Sequence, residues 1–296
     1  MKHIAKKRFG QNFLTDQAII TSLIEAINPK TEEIIVEIGP GLGALTKPLL
    51  KKINHLHVVE IDRDIVAWMQ NEYAKSTITI HNVDALKFNF ASLTEISSCL
   101  TMDARQQGGG DEVVHKVQRG TDNAANAADA PDMQKLRVVG NLPYNISTPI
   151  LFHLLDNLAC IIDMHFMLQK EVVERMVALP STPAYGRLSV MLQYHLAMEH
   201  LITVPPEAFE PAPKIESAFV RCVPHTTKPY IAEDASLFAK IVMAAFGQRR
   251  KTIRNTLKDF LNDQDLTALN LNPQLRAENL SAQQFVSISN FVLNKT

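Results

Sequence analysis

The feature that most narrows what this chain can fold into is an alternation of strand-like and helix-like segments whose first strand runs straight into a glycine-rich turn. Apolar or β-branched runs occur at Ile34 to Gly39, Leu56 to Ile61, Thr77 to His81, Arg137 to Asn141 and Ile161 to Leu168. Helical spacing of apolar residues falls between them, as in Asp62 to Tyr73 and Pro149 to Leu158. Strand, helix, strand repetition predicts an α/β fold with a parallel sheet covered by helices on both faces. A helix over Asp16 to Ile27, capped by Thr15 and stopped at Asn28-Pro29, is predicted to precede it. Leu201 to Val204 and Ser217 to Val223 are read as two more strands closing one edge. Beyond Pro224 the pattern turns helical, including Ser236 to Phe246, Arg249 to Leu261 and Ser281 to Leu293.

This order predicts a larger unit over residues 1–225 and a small helical one over 226–296. The length of 296 residues agrees, since single cores stop growing near ~250 to 300 residues. Residues 97–135 break the rhythm with Gly108-Gly109-Gly110 and an Ala/Asn/Asp-rich run, and are expected to be a mobile surface insertion. Lys plus Arg (30) nearly equal Asp plus Glu (31), so contact with a polyanion must come from local patches. Cys99, Cys160 and Cys222 form no CxxC pair, which disfavours a disulfide framework or a zinc site and suits a reducing cytoplasm. Lys2, Lys6, Lys7 and Arg8, ahead of the first acidic residue Asp16, make a mitochondrial transit peptide the weaker alternative. No apolar run reaches the ~18 residues of a membrane span.

The glycine turn is Glu37-Ile38-Gly39-Pro40-Gly41-Leu42-Gly43. Gly39 and Gly41 let the backbone turn sharply and come close to a nucleotide-type ligand. The pattern alone does not choose the cofactor, because it also meets the loose dinucleotide fingerprint. Glu60, 21 positions after Gly39, closes the next strand, where a carboxylate can accept from ribose hydroxyls; Asp84 closes the one after and could accept from an adenine amino group. Three successive strand ends then line one crevice.

The fourth of these strands ends in Asn141-Leu142-Pro143-Tyr144. An adenine amino nitrogen is a poor nucleophile because its lone pair is delocalised into the ring. Two acceptors for its hydrogens, the Asn141 side-chain oxygen and the Leu142 carbonyl, would help it pyramidalise as positive charge grows on it. Pro143 has no N–H and holds Leu142 extended, and Tyr144 offers a face for a base drawn out of its stack. No HExxH, GxSxG or GxxxxGK[ST] motif competes, and the chemistry needs no metal.

Together these residues resemble the ribosomal RNA adenine N6,N6-dimethyltransferases, specifically those of the bacterial small subunit. The likeness runs through Arg8 to Leu14, Glu37 to Gly43, Gly140 to Ser147, His165 to Val172, Tyr185 to Val190, Pro211 to Ser217 and Phe246 to Asn255. It implies a Rossmann-like class I methyltransferase sheet followed by a helical domain, with S-adenosylmethionine as methyl donor. The implied reaction is transfer of two methyl groups to each of two adjacent adenosines in a hairpin near the 3′ end of small-subunit rRNA, in an assembling 30S-type subunit, by a monomer. It further implies cofactor contacts from Asn12, Leu14, Gly39, Glu60, Asp84 and Asn141. Phe209 resembles the family's second aromatic, opposite Tyr144; without the likeness it reads as a packing residue. The 97–135 stretch departs from the brief connection usual in the family, which bears on substrate approach more than on chemistry.

RNA contact is expected from Lys6, Lys7 and Arg8, and from Arg249, Arg250, Lys251 and Arg254. On a helix from Arg249 to Leu261, Arg250, Arg254 and Lys258 would share one face while Ile253, Leu257 and Phe260 turn inward. A merely solvated basic stripe is the bland alternative. Competing functions are a macrolide-resistance type dimethylase of large-subunit rRNA, a ribosome-assembly binding factor, a DNA-adenine or protein-glutamine methylase, and a nicotinamide oxidoreductase. Leu142, where the methylases of DNA or protein commonly carry proline, disfavours the third of these.

Overall fold

The computed structural model describes residues 11–94 and 135–295. A short β1 (Phe13–Leu14) and α1 (Gln17–Ile27) precede the alternating part, which runs β2 (Ile34–Ile38), α2 (Thr46–Leu49), β3 (Leu56–Val59), α3 (Arg63–Glu72) and β4 (Ile78–His81). It resumes with β5 (Leu136–Asn141), α4 (Ser147–Leu155), β6 (Ile161–Gln169), α5 (Lys170–Val177) and α6 (Arg187–Gln193). Then come β7 (Leu196–Val204), β8 (Phe209–Glu210) and β9 (Ser217–Pro224), followed by α7 (Ala235–Phe246), α8 (Ile253–Thr256), α9 (Asp263–Ala268) and α10 (Ala282–Lys295).

One seven-stranded sheet has the order β4-β3-β2-β5-β6-β9-β7. The five strands from β4 to β6 are parallel, and β9 and β7 add antiparallel to the β6 edge. The expected α/β class, its core strands and the two closing strands are therefore present at nearly the predicted residues. Buried on both faces, β2 reads as Ile-Ile-Val-Glu-Ile with every residue inside, the near-continuous apolar run of a central parallel strand. Its side chains alternate between two layers. Ile34, Val36 and Ile38 meet α4 and the 85–93 turn, while Ile35 meets α1, α2 and α3.

Helix α6 has two partners. Leu188 and Leu192 pack toward the sheet, whereas Val190 and Met191 join Tyr185, Tyr194 and the apolar faces of α7 and α10. Two tyrosine hydroxyls secure that contact: Tyr185 Oη donates to the Leu280 carbonyl at 2.9 Å, and Tyr194 Oη accepts from the Ala232 N–H at 3.1 Å.

Two local expectations differ from the structure. Asp16, not Thr15, caps α1, its Oδ1 accepting from the N–H groups of Ala18 (2.8 Å) and Ile19 (3.0 Å). Thr15 is spent elsewhere, its N–H donating to the Ala208 carbonyl at 2.8 Å. The helix expected over Arg249 to Leu261 is only the single turn α8, because the N–H groups of Ile253 and Arg254 donate to the carbonyls of Leu275 and Pro273 and Thr252 bridges to Arg276. Ile253 and Leu257 nevertheless face inward as anticipated. Cys160 and Cys222 are both buried and unbonded, and Cys99 lies outside the described residues.

A buried arginine organises the lower half of the sheet. Arg137 on β5 donates to both carboxylate oxygens of Asp163 on β6 (2.8 and 2.9 Å), to Glu33 (2.8 Å) and to the carbonyls of Ile27 (2.6 Å) and Asn28 (3.3 Å) at the end of α1. Asp163 is 2% exposed and is approached otherwise by His165 and Arg221 at 3.7 and 3.6 Å, beyond hydrogen-bonding distance. Arg137→Met keeps the bulk and removes the donors, so the carboxylate stays buried without them; urea unfolding is expected to show a loss of about 3 kcal/mol. A loss under about 1 kcal/mol would mean that Arg221 or His165 takes over the pairing.

Candidate active site

The carboxyl ends of β2, β3 and β5, with the turn after β4, open into one cavity of about 270 Å³. Such a crevice outside the strand ends is where open α/β sheets bind ligands. Its lining includes the glycine turn, Glu37, Glu60, Asp84 and the whole tetrad from Asn141 to Tyr144. Gln11, Asn12, Phe13 and Leu14 line it as well, because the segment before α1 runs across its mouth.

That segment is fastened at several points. β1 pairs antiparallel with β8, Phe13 opposite Glu210 and Leu14 opposite Phe209. Gln11 Nε2 donates to Asp62 Oδ2 at 3.2 Å, and the Asn12 carbonyl accepts from Asn141 Nδ2 at 3.0 Å. The glycine turn lies directly beneath. Gly41 has φ +54°, and a Cβ there would stand 2.9 Å from the Phe13 ring, so both the conformation and the contact require glycine. Gly39, at φ +65°, has room for a Cβ and needs glycine for its backbone alone.

Glu60 is 7% exposed and is set by its own neighbours. Its Oε1 accepts from the Asp62 N–H at 2.8 Å, and its backbone carbonyl accepts from Asn82 Nδ2 at 2.8 Å. Asp84 both caps the turn that follows, Oδ1 accepting the Leu86 N–H at 3.0 Å, and lines the cavity. The Asn12 carbonyl can only accept, so it fixes which end of the Asn141 amide is nitrogen and turns Oδ1 away from it. The Leu142 N–H donates to the Met167 carbonyl at 3.1 Å, extending the β5–β6 pairing past the strand end. Tyr144 is half-buried with its hydroxyl 2.6 Å from Ser217 Oγ; burial pushes its pKa up, so the phenol stays protonated.

Asn12, Leu14, Gly39, Gly41, Glu60, Asp84 and Asn141 through Tyr144 thus converge, as expected. Phe209 does not. It is 4% exposed, packed with Leu14 and Phe219, and absent from the cavity wall, so in this arrangement it is the packing residue that its position suggested without the family likeness. Arg249, Arg250, Lys251 and Arg254 are exposed and also stand apart from the cavity lining. Lys6, Lys7 and Arg8 lie outside the described residues, as does the 97–135 stretch except Lys135.

Glu37 belongs to the glycine motif and is also a strongly perturbed acid of the cavity. It is 1% exposed, Thr46 Oγ1 donates to its Oε2 at 2.6 Å, and burial, seconded by the charge of Glu60, raises its pKa from 4.5 to about 7. A carboxylate inside an otherwise apolar strand was the available signal. Three carboxylates, Glu37, Glu60 and Asp84, therefore line a cavity whose described lining has no Lys, Arg or His. That lining suits a ligand bearing sulfonium and ammonium charges and opposes the pyrophosphate of a dinucleotide.

A family model described as ribosomal RNA adenine dimethylase matches residues 2–294. The chain belongs to the ribosomal RNA adenine dimethylase family. Its cofactor is accordingly S-adenosylmethionine, and it is an RNA methyltransferase. It is 59% identical over 292 residues to the ribosomal RNA small subunit methyltransferase A of Methylobacillus flagellatus, covering 99% of each chain. The protein of the same name from Nitrosospira multiformis is 51% identical, covering 98% of this chain and 97% of that one. With the first relative matched end to end, the 97–135 stretch is no net addition relative to it. Among solved structures, a dimethyladenosine transferase from Plasmodium falciparum superposes with TM-score 0.66 at 20% identity, covering 93% of this chain and 95% of that one. The 23S rRNA methyltransferase ErmE gives 0.64 at 19%, covering 95% and 99%. Both share the fold.

Glu37 makes stability depend on pH in a stated direction. Its folded pKa lies above its ordinary value, so between about 4.5 and 7 the folded state binds the extra proton. Stability from this group is full at low pH and is lost as pH rises through about 7. Glu37→Gln is expected to match the parent near pH 5 and to exceed it near pH 8 by up to about 3 kcal/mol in urea unfolding without cofactor. Equal stabilities at both pH values would show the carboxylate to be ionised already.

Proposed function

We propose that this chain methylates small-subunit rRNA, placing two methyl groups on N6 of each of two adjacent adenosines in the hairpin near the 3′ end. It does so as a cytoplasmic monomer acting on an assembling subunit. The observation that carries the reading is the juxtaposition, in one acidic cavity, of the glycine turn with an asparagine whose amide nitrogen is tied back to the protein. The names of the relatives at 59% and 51% identity support the small subunit as target. No described helix is long and apolar enough to cross a membrane.

S-Adenosylmethionine supplies an electrophilic methyl group on a sulfonium, a good leaving group. The protein's part is placement and charge. Glu60 receives the ribose hydroxyls, Asp84 the adenine amino group, and the backbone of Gly39 and Gly41 with Asn12 and Leu14 encloses the rest. Asn141 Oδ1 and the Leu142 carbonyl accept the hydrogens of the target amine, and Pro143 keeps that carbonyl aimed. As the amine becomes cationic both contacts strengthen, lowering the barrier more than they stabilise the bound substrate. The face of Tyr144 holds the flipped base. After each transfer the cationic amine loses a proton to solvent, and the monomethylated amine, with one hydrogen left, engages one of the two acceptors in the second round.

Residues 1–225 form the methyltransferase unit and 226–296 the helical one, on whose surface Arg249, Arg250, Lys251 and Arg254 meet phosphates with help from Lys6, Lys7 and Arg8. Arg254 is already 2.7 Å from Asp263, so RNA must compete for it. Arg250→Ala is therefore expected to weaken RNA binding more than Arg254→Ala and to lower the slope of log affinity against log salt by about 1. Identical salt dependence in parent and variants would remove these residues from the interface.

Asn141→Ala is expected to lower kcat about 100-fold at saturating cofactor, the scale of losing one preorganised transition-state contact. The target is tested by offering labelled cofactor with unmethylated small subunits, large subunits or naked RNA, then mapping the modified base. Labelling of large subunits alone would replace the small-subunit reading with the macrolide-resistance type.

A further inference from the structure

Tyr144 is held at both ends by buried serines. At the backbone end, the Tyr144 carbonyl accepts from Ser147 Oγ at 3.1 Å, and the turn is closed by Ile146 N–H to the Pro143 carbonyl at 3.1 Å. At the ring end, the hydroxyl meets Ser217 Oγ at 2.6 Å. Ser217 is fully buried and opens β9, where it pairs with Gln169 of β6 on one side and Val204 of β7 on the other. A side chain on a strand paired along both edges is among the most fixed points a sheet can offer.

A phenol ring anchored only through its Cα sweeps a wide arc about χ1, whereas one pinned at its hydroxyl keeps its long axis in place and can turn only about that axis. We propose that Ser217 is a positioning residue for the methyl transfer, keeping in place the Tyr144 ring on which the target adenine stacks. The inference rests on the reading of Tyr144 as that stacking face. Ser217 does not line the cavity, so it acts through Tyr144 or not at all in catalysis. The 2.6 Å contact gives the ring its orientation before the base arrives, so less freedom is lost on binding.

A buried serine needs a partner in any case, so the test must separate positioning from fold maintenance. Ser217→Ala, Tyr144→Phe and the double variant break the same contact from its two sides, and Tyr144→Phe leaves the buried strand unchanged. Positioning predicts that each single variant loses about tenfold in kcat with cofactor affinity unchanged, and that the double variant is no worse than Tyr144→Phe. RNA carrying 2-aminopurine at the target adenosine should be quenched less on binding to Ser217→Ala than to the parent, because its stacking partner is loosened. If Ser217→Ala costs as much in the Tyr144→Phe background as in the parent, Ser217 serves the fold and the proposal fails. If Tyr144→Phe is fully active while Tyr144→Ala is inactive, the ring stacks without needing its tether, which again overturns the role of Ser217. If Tyr144→Ala is itself active and quenches normally, the stacking reading falls and the proposal with it.

Discussion

The tie closest to the site joins chain segments 129 residues apart, the Asn141 amide donating to the Asn12 carbonyl. It joins the end of the central strand to the segment ahead of the first helix. Without that segment the carboxyl ends of the strands would open onto solvent, and Asn141 would rotate freely. With it, the cavity is lined by the glycine turn on one side and Gln11 to Leu14 on another, and Asn141 stands where they meet. The close approach of Phe13 to Gly41 is part of the same constraint: the two sides touch where a methyl group would hold them apart.

Charge is arranged with the same economy of position. The near-zero net charge conceals a separation, with three carboxylates gathered around the cavity and four cations exposed between residues 249 and 254. Acidic and basic groups are thus held on different parts of one molecule. With its pKa raised to about 7, Glu37 carries only part of a charge at neutral pH, which tempers its repulsion with Glu60.

What could be read from the sequence was whatever was written in a continuous local pattern. The strands from Ile34 to Leu168 were legible because buried parallel strands are apolar throughout, and the glycine and Asn-Leu-Pro-Tyr motifs because each occupies one turn. The β1–β8 pair was not, being two residues on each side and separated by nearly 200 positions. The long basic helix failed for the complementary reason: its spacing was sound, but Ile253 and Arg254 donate to the carbonyls of Leu275 and Pro273, donors that a helix begun at Arg249 would need for the carbonyls of Arg249 and Arg250. The role of Arg137 was not legible, because its five acceptors come from residues 27, 28, 33 and 163, scattered along the chain. Ser217 was only the last letter of a motif, and Phe209 was placed by likeness where packing has put it in the core.

Helix α6 belongs to two cores at once. Leu188 and Leu192 are owed to the sheet, Val190 and Met191 to the bundle that follows, and Tyr185 and Tyr194 bond across to Leu280 and Ala232. A cut at the sequence boundary near residue 226 would therefore not release a clean half. It would strip an oily flank bare on the larger piece, inviting self-association, and would deprive the smaller piece of the wall against which its helices are assembled. The two portions share this helix, so disturbance of the helical bundle has a mechanical route into the layer that backs the sheet.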